Sequence, residues 1–186
     1  MISVDFVFNS PTEIDFDALK RLFIQLFYTY APRLDAGAIA EHILSTSKDE
    51  GLGTVIKVQD DEDNDPFAVV SAAPISSESP KSIQQITDLL LSCTPTTSPM
   101  NKMLKQASES GASSSSSAAY ILHERMINLP PAAAAPLYRL ISEELEEGTL
   151  DAAEATHDLQ VAHDAVWFEL PGEDRVDLKR RKALRL

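Results

Sequence analysis

Tyr120-Ile121-Leu122-His123-Glu124-Arg125-Met126-Ile127-Asn128-Leu129-Pro130-Pro131 is the stretch on which the reading of this chain turns. It opens as a strand. Tyr120, Leu122 and Met126 share one parity and Ile121, Ile127 and Leu129 the other, and successive strand side chains point to opposite faces. Glu124 and Arg125 stand side by side inside this apolar run. The double proline cannot continue a strand, because it removes N–H donors from the ladder. A helix follows, with Leu137, Ile141 and Leu145 on one stripe.

Working outward, residues 3–9 read as a strand, with Val4, Phe6 and Phe8 set against Asp5 and Val7. Pro11-Thr12-Glu13-Ile14-Asp15 starts a helix, with Thr12 and Asp15 as a capping pair. Phe16, Leu19, Leu22, Phe23, Leu26, Phe27 and Tyr30 recur at helical spacing and are expected in the core. Pro32 is expected to end that helix. Asp35 to Leu44 form a second helix that buries Ile39, Ile43 and Leu44. Thr54–Val58 and Phe67–Ala73 read as two strands of an antiparallel hairpin, joined by Asp60-Asp61-Glu62-Asp63-Asn64-Asp65 and Pro66. Ser79 is expected to cap the next helix, with Pro80 in its first turn and Ile83, Ile86, Leu89 and Leu90 facing inward. Pro95 and Pro99 interrupt it, and Met100, Met103 and Leu104 suggest a continuation. Gly111 to Ser117 is a serine run with too little side chain to pack, read as a flexible surface loop. The order is β-α-α-β-β-α-(α)-β-α, an α/β plan with a mixed, mainly antiparallel sheet flanked by helices.

The segment His123-Glu124-Arg125-Met126-Ile127-Asn128-Leu129-Pro130-Pro131, followed by Pro136-Leu137-Tyr138 and Glu143-Glu144-Leu145, resembles a block of the BCCIP family, whose fungal members are BCP-type nuclear proteins. The N-terminal region is similar as well: Ser3-Val4-Asp5-Phe6, then Asp15 to Leu22, then Gly53-Thr54-Val55-Ile56-Lys57 leading to an acidic run. The resemblance covers about residues 3–147, taken as one BCCIP-like α/β domain. It marks Glu124, Arg125, Asn128 and Pro130 as family-motif residues, structural or binding. It implies a fold similar to that of GNAT acetyltransferases. It also implies a nuclear, non-enzymatic adaptor without cofactor that shuttles to the cytoplasm. The client would be a basic large-subunit ribosomal protein of the uL-fourteen kind, which the adaptor shields before assembly, supporting nuclear export and ribosome biogenesis. Other partners implied by the family are a lipid kinase, a DNA-repair mediator and a cell-cycle kinase inhibitor, so an alternative to the chaperone is a nuclear-transport, cell-cycle or DNA-repair adaptor without chaperone activity.

Residues 148–186 depart from the family as a divergent segment. Relatives should supply further strands, a lysine-rich insert and a long C-terminal section, none of which matches Gly148–Leu186. There, Leu150–Val161 reads as a helix and Val166-Trp167-Phe168-Glu169-Leu170 as one strand before Pro171. The run Lys179–Arg185 reads as a solvated or disordered basic tail.

At 186 residues and 44% hydrophobic content the chain suits one domain able to bury roughly 70% of its unfolded surface. Cys93 stands alone, which excludes an internal disulfide and suggests a reducing compartment. After Leu89, Leu90 and Leu91 it is expected to be a buried thiol. No apolar run approaches the ~18 residues of a membrane span. Met1-Ile2-Ser3-Val4-Asp5 has no basic region of the kind that opens a signal peptide. Lys and Arg number 16 against 29 Asp and Glu, a net charge of −13. Five of the basic residues are Lys179, Arg180, Arg181, Lys182 and Arg185, so residues 1–178 carry 11 basic and 29 acidic groups, a charge of −18. Such a body repels nucleic-acid phosphate and attracts basic proteins, although acidity can also serve solubility alone.

The chemistry these residues could carry is narrow. A transferase of the GNAT kind would need a glycine-rich loop opening a helix to cradle the coenzyme A pyrophosphate. The nearest match, Lys48-Asp49-Glu50-Gly51-Leu52-Gly53, carries two acids and precedes a strand, so Gly51 and Gly53 read as turn residues. The competing class, a divergent acyl-CoA-dependent transferase, therefore lacks its phosphate loop. His42, His123, His157 and His163 make no metal-ligand spacing, and His123 and Glu124 point to opposite strand faces. Glu124 and Arg125 likewise need separate partners. They read first as architecture that satisfies buried polar groups or caps the following helix, holding the Pro130-Pro131 turn, and otherwise as a surface gripping a client. The partner-binding candidates are Asp60, Asp61, Glu62, Asp63 and Asp65 in the loop, and Glu143, Glu144, Glu146 and Glu147 on the last helix of the domain.

Overall fold

The computed structural model describes residues 5–59, 61–111 and 118–151, with the backbone alone at 134 and 147–151. They fall within one unit that spans Met1–Ala155. The serine run beyond Gly111 and the proposed helix, strand and basic tail beyond Asp151 lie outside the described residues, as do Ser3, Val4 and Asp60.

Four strands form one sheet in sequential order: β1 (Phe6–Asn9), β2 (Thr54–Val58), β3 (Ala68–Ile75) and β4 (Ala118–Arg125). Every pairing is antiparallel, so the expected mixed sheet is purely antiparallel among the described residues. The register assigns the faces. Val55 pairs Val69, while Ser71 pairs Leu122 and Ala73 pairs Tyr120. That parity meets the helices α1 (Phe16–Phe27), α2 (Ala36–Glu50) and α3 (Lys81–Cys93) through Leu19, Leu22, Phe23, Ile39, Ile43, Ile83 and Ile86. The opposite parity, Ile56, Ala68, Val70 and Ala72, meets Leu129 and the stripe Leu137 and Ile141 on α5 (Ala134–Asp151). Because β2 and β3 are covered on both faces, they read as continuous apolar runs and not as alternations. A smaller cluster joins Ile75 to Leu104 and Ala107 of α4 (Pro99–Glu109).

Local chemistry explains where the elements stop. The Asp15 carboxylate accepts the Thr12 N–H at 2.9 Å and the Thr12 hydroxyl at 3.1 Å, which is the expected pairing ahead of α1. The α1 helix ends at Phe27, five residues before Pro32. Tyr28 takes φ 42° there, and a non-glycine residue in that region cannot propagate a right-handed helix. Residues Tyr28–Arg33 then run as tight 3-10 turns that admit Pro32.

The α2 helix is capped by Asp35, whose carboxylate accepts the Ala38 N–H at 3.0 Å. It runs six residues past the expected end at Leu44. Its polar last turns are docked: Thr46 and Ser47 are buried, and the Ser47 hydroxyl donates to the Pro11 carbonyl at 3.3 Å. Gly51 at φ 70° closes it in the left-handed region glycine favours.

Two expectations fail near α3. Ser79 does not cap it. Its hydroxyl accepts the Ser76 N–H at 2.8 Å and donates to the Pro74 carbonyl at 2.9 Å, closing the turn out of β3. The helix opens at Pro80 without a side-chain cap, its carbonyl accepting the Ile83 and Gln84 N–H groups. Cys93 is exposed, not buried. It continues the stripe of Ile86 and Leu89 but forms the tip of the helix, where the stripe has run past the core. The expected continuation is the separate helix α4, capped by the Ser98 hydroxyl accepting from Asn101 N–H at 3.0 Å. Leu104 is buried there, whereas Met103 faces solvent.

One charged pair lies inside. Lys57 of β2 reaches Asp15 at 2.7 Å, with 7% and 1% of the two side chains exposed. Parity puts Lys57 on the α1 side of the sheet, opposite Val7.

Candidate functional site

The site is built at one end of the sheet, where the β2–β3 hairpin loop and the end of β4 meet. Met126 N–H donates to the Phe67 carbonyl at 2.8 Å, which carries the β4 ladder one residue past Arg125 and fixes the two segments side by side. The hairpin loop is acidic. Glu62 and Asp63 are exposed, Asp61 and Asp65 are half-buried, and Asn64 takes φ 50°, a left-handed turn position that asparagine tolerates. Asp60 lies outside the described residues.

One edge of α1 holds both segments. Arg21 and Gln25 are four residues apart and so share a helix face. The Arg21 guanidinium pairs with the Asp65 carboxylate. The Gln25 amide donates to Glu124 Oε1 at 2.9 Å and to the Arg125 carbonyl at 3.0 Å. Glu124 Oε1 also accepts the Arg125 N–H at 2.9 Å. The Arg125 guanidinium turns to the other side and donates to the Leu129 carbonyl at 2.7 Å and the Met126 carbonyl at 3.4 Å. Glu124 and Arg125 thus have separate partners, and Arg125 clamps the turn that leads to Pro130-Pro131. Of the other motif residues, Asn128 and Pro130 are exposed on that turn.

The helix acids divide. Glu143 accepts from Arg139 at 2.8 Å on the exposed face of α5. Glu144 does not face a partner. It accepts the Gly53 N–H and the Thr54 hydroxyl, each at 2.7 Å, and so fastens α5 to the start of β2. A helix turns about 100° per residue, which separates the roles of these two neighbours. Glu146 is exposed and also interacts within the protein. The Glu147 side chain lies outside the described residues. Glu143 and Glu144 thus take their partners away from the hairpin loop.

The Glu144 contact also bears on the glycines. Gly53, at φ 113°, donates its N–H to a carboxylate, and a Cβ added there would approach the Ser71 side chain at 3.0 Å. The group a phosphate loop would offer to an anion is already taken by an internal anion. Among the described residues, no group of three or more His, Cys, Asp or Glu is disposed to hold a metal ion. His157 and His163 lie outside them. No described helix is long and apolar enough to cross a membrane.

His123, on the α5 side of β4, meets Tyr138 edge to face at 4.9 Å, and its Nδ1 shares a hydrogen bond of 2.7 Å with the Tyr138 hydroxyl. Its Nε2 is buried without a partner. Burial pushes this imidazole below its ordinary 6.5, against a smaller opposing pull from Glu124. Burial lowers His42 in the same way. The unfolded chain then binds protons that the folded chain refuses. Stability is full above pH 6.5 and is lost as pH falls toward the depressed folded values. Thermal melting should show this loss as pH falls below about 6.5, with a shallower slope in His123→Gln. Parallel curves for the two proteins would refute the assignment to His123.

Sequence reasoning missed Arg21 and Gln25 as parts of this site. The readable signal was a polar pair at i, i+4 on the polar side of an amphipathic helix, but its partners lie 44 and 99 residues away.

Comparisons with known proteins identify the family of the chain. A family model described as BCCIP matches residues 1–163. The chain is 46% identical over 149 residues to "Protein BCP1" of Mycosarcoma maydis, covering 78% of this chain and 44% of that protein. It is 32% identical to "Protein bcp1" of Emericella nidulans, with 78% and 48% covered, and 32% identical to "Protein bcp1" of Schizosaccharomyces pombe, with 78% and 50% covered. It spans about half the length of the curated relatives it matches. With more than half of its residues matched by the family model, the chain belongs to the BCCIP family.

Proposed function

We propose that this chain is a non-enzymatic adaptor that binds and shields a basic protein. The family resemblance points to a large-subunit ribosomal protein of the uL-fourteen kind as client, with roles in nuclear export and ribosome biogenesis. The observation that carries the reading is the acidic hairpin loop held beside the family-motif turn by Arg21 and Gln25. A fixed acidic rim on a body of charge −18 over residues 1–178 presents a directed field, not diffuse solubility charge. The family and relative names carry no enzyme activity. The Gly53 N–H, occupied by Glu144, speaks against an acyl-CoA transferase. Nuclear residence, passage to the cytoplasm, the GNAT-like plan, and the lipid-kinase, cell-cycle and DNA-repair partners belong to this same proposal as expectations from the family.

The test is kinetic. Surface charges act through a field screened within about 8 Å at physiological salt, and rim charges govern encounter more than release. Neutralising Asp61, Glu62 and Asp63 to Asn or Gln should slow association with the basic ribosomal protein by roughly three- to tenfold at low salt. It should hardly change release, and the difference should vanish at high salt. Asp65 stays in place because it tethers the loop to Arg21. Equal association rates at low salt would show that this loop is not the steering surface.

A further inference from the structure

We propose that Ile127 is the apolar anchor of this surface, seated by an apolar side chain within a lysine- or arginine-rich segment of the partner. The inference rests on the basic-partner reading above and deepens it. Met126 to Leu129 form a tight turn, closed by the Leu129 N–H donating to the Met126 carbonyl at 3.0 Å. Ile127 and Asn128 are its two central residues. Such positions are normally filled by proline, aspartate, asparagine, serine or glycine, and a β-branched isoleucine has no conformational advantage there. The residues on either side serve folding: Leu129 is 1% exposed and Met126 packs against the α1–α3 core. Ile127 serves none of it, being 97% exposed.

Its exposure is also fixed. Arg125 holds the carbonyls of the first and last residues of the turn, Met126 and Leu129, Gln25 holds the Arg125 carbonyl, and Met126 is bonded to Phe67. A backbone already held in place loses little freedom on binding, which favours the side chain it carries as an anchor. The occupant follows from charge. The same Phe67 contact puts the turn at the end of the sheet from which the hairpin loop with the exposed Glu62 and Asp63 projects, so a segment entering there meets an apolar side chain and carboxylates on one end of the molecule. An acidic or phosphorylated segment would be repelled. A basic segment interrupted by an apolar side chain satisfies both features.

Two synthetic probes test this by calorimetric titration: a peptide of alternating lysine and glycine, and the same peptide with leucines at its centre. The parent protein should bind the leucine-bearing peptide about tenfold more tightly, the worth of burying one apolar side chain in part. Ile127→Ser should bind both peptides equally, at the affinity of the lysine-glycine peptide, with an unchanged melting temperature. Ile127→Leu should restore the preference. If the parent binds both peptides equally, or Ile127→Ser keeps the preference, the anchor is overturned while the acidic-surface reading stands. If neither peptide binds the parent at low salt, both fall.

Discussion

Replacing Lys57 with methionine is expected to cost about 3–5 kcal/mol of folding stability, read from urea unfolding. The ammonium lies 2.7 Å from Asp15, and the pair is almost wholly excluded from water. Bringing two charges inside is expensive, so the intact pair contributes little net stability. Removing one partner leaves a buried carboxylate with no counter-charge, and that is where the loss arises. Asp15 cannot simply swing out, because its other oxygen accepts the Thr12 N–H and hydroxyl that start the α1 segment. The double variant Lys57→Met, Asp15→Asn removes the stranded charge and keeps an acceptor for Thr12. It should therefore recover much of the loss and be more stable than Lys57→Met alone. A loss under about 1 kcal/mol in the single variant, or full additivity in the double, would show that the site is wetter than its burial implies.

This pair also shows where the sequence stops being legible. Thr12 and Asp15 are three residues apart, and their pairing is readable from spacing alone. That Asp15 also receives Lys57 is not, since a lysine in an apolar strand normally reads as an outward residue. The meander of strands and the stripes of α1 and α5 are legible because period 2 and period 3.6 are properties of neighbours. The end of α2 is not, because Thr46 and Ser47 look like loop residues until Pro11 is seen to accept from Ser47. Cys93 was misjudged for a related reason: a stripe predicts a face, not the point where the core beneath it ends. At the site, the acidic loop and the motif turn each stand out in the sequence. Their adjacency depends on Phe67, Arg21 and Gln25, and no local pattern encodes it.

Glu144→Ala is the second large expected loss, about 2–4 kcal/mol, with the loosening concentrated where α5 meets β2. The carboxylate accepts two donors at 2.7 Å, from Gly53 N–H and the Thr54 hydroxyl, and Thr54 is buried. Each charge-assisted bond contributes roughly 1.5–3 kcal/mol, discounted here because Glu144 is itself only half-buried. Glu144→Gln separates charge from connectivity. The glutamine carbonyl can accept from Gly53, and the Thr54 hydroxyl can rotate to accept from the amide NH2, so both bonds survive in neutral form. The expected cost of Glu144→Gln is then about 1 kcal/mol, the difference between charged and neutral bonds. Thr54→Val alone already removes the charged Thr54 bond, so adding it to Glu144→Gln should cost less than it does in the parent, and the double variant should lose less than the two single changes together. Amide exchange at Gly53 should accelerate in Glu144→Ala and stay protected in Glu144→Gln. Binding gives an independent reading of the same residue. A glutamate committed to Gly53 and Thr54 is not a client contact, so Glu144→Gln should leave association with the basic partner as fast as in the parent. If association slows in Glu144→Gln as much as in the neutralised hairpin loop, this end of α5 carries part of the docking surface after all.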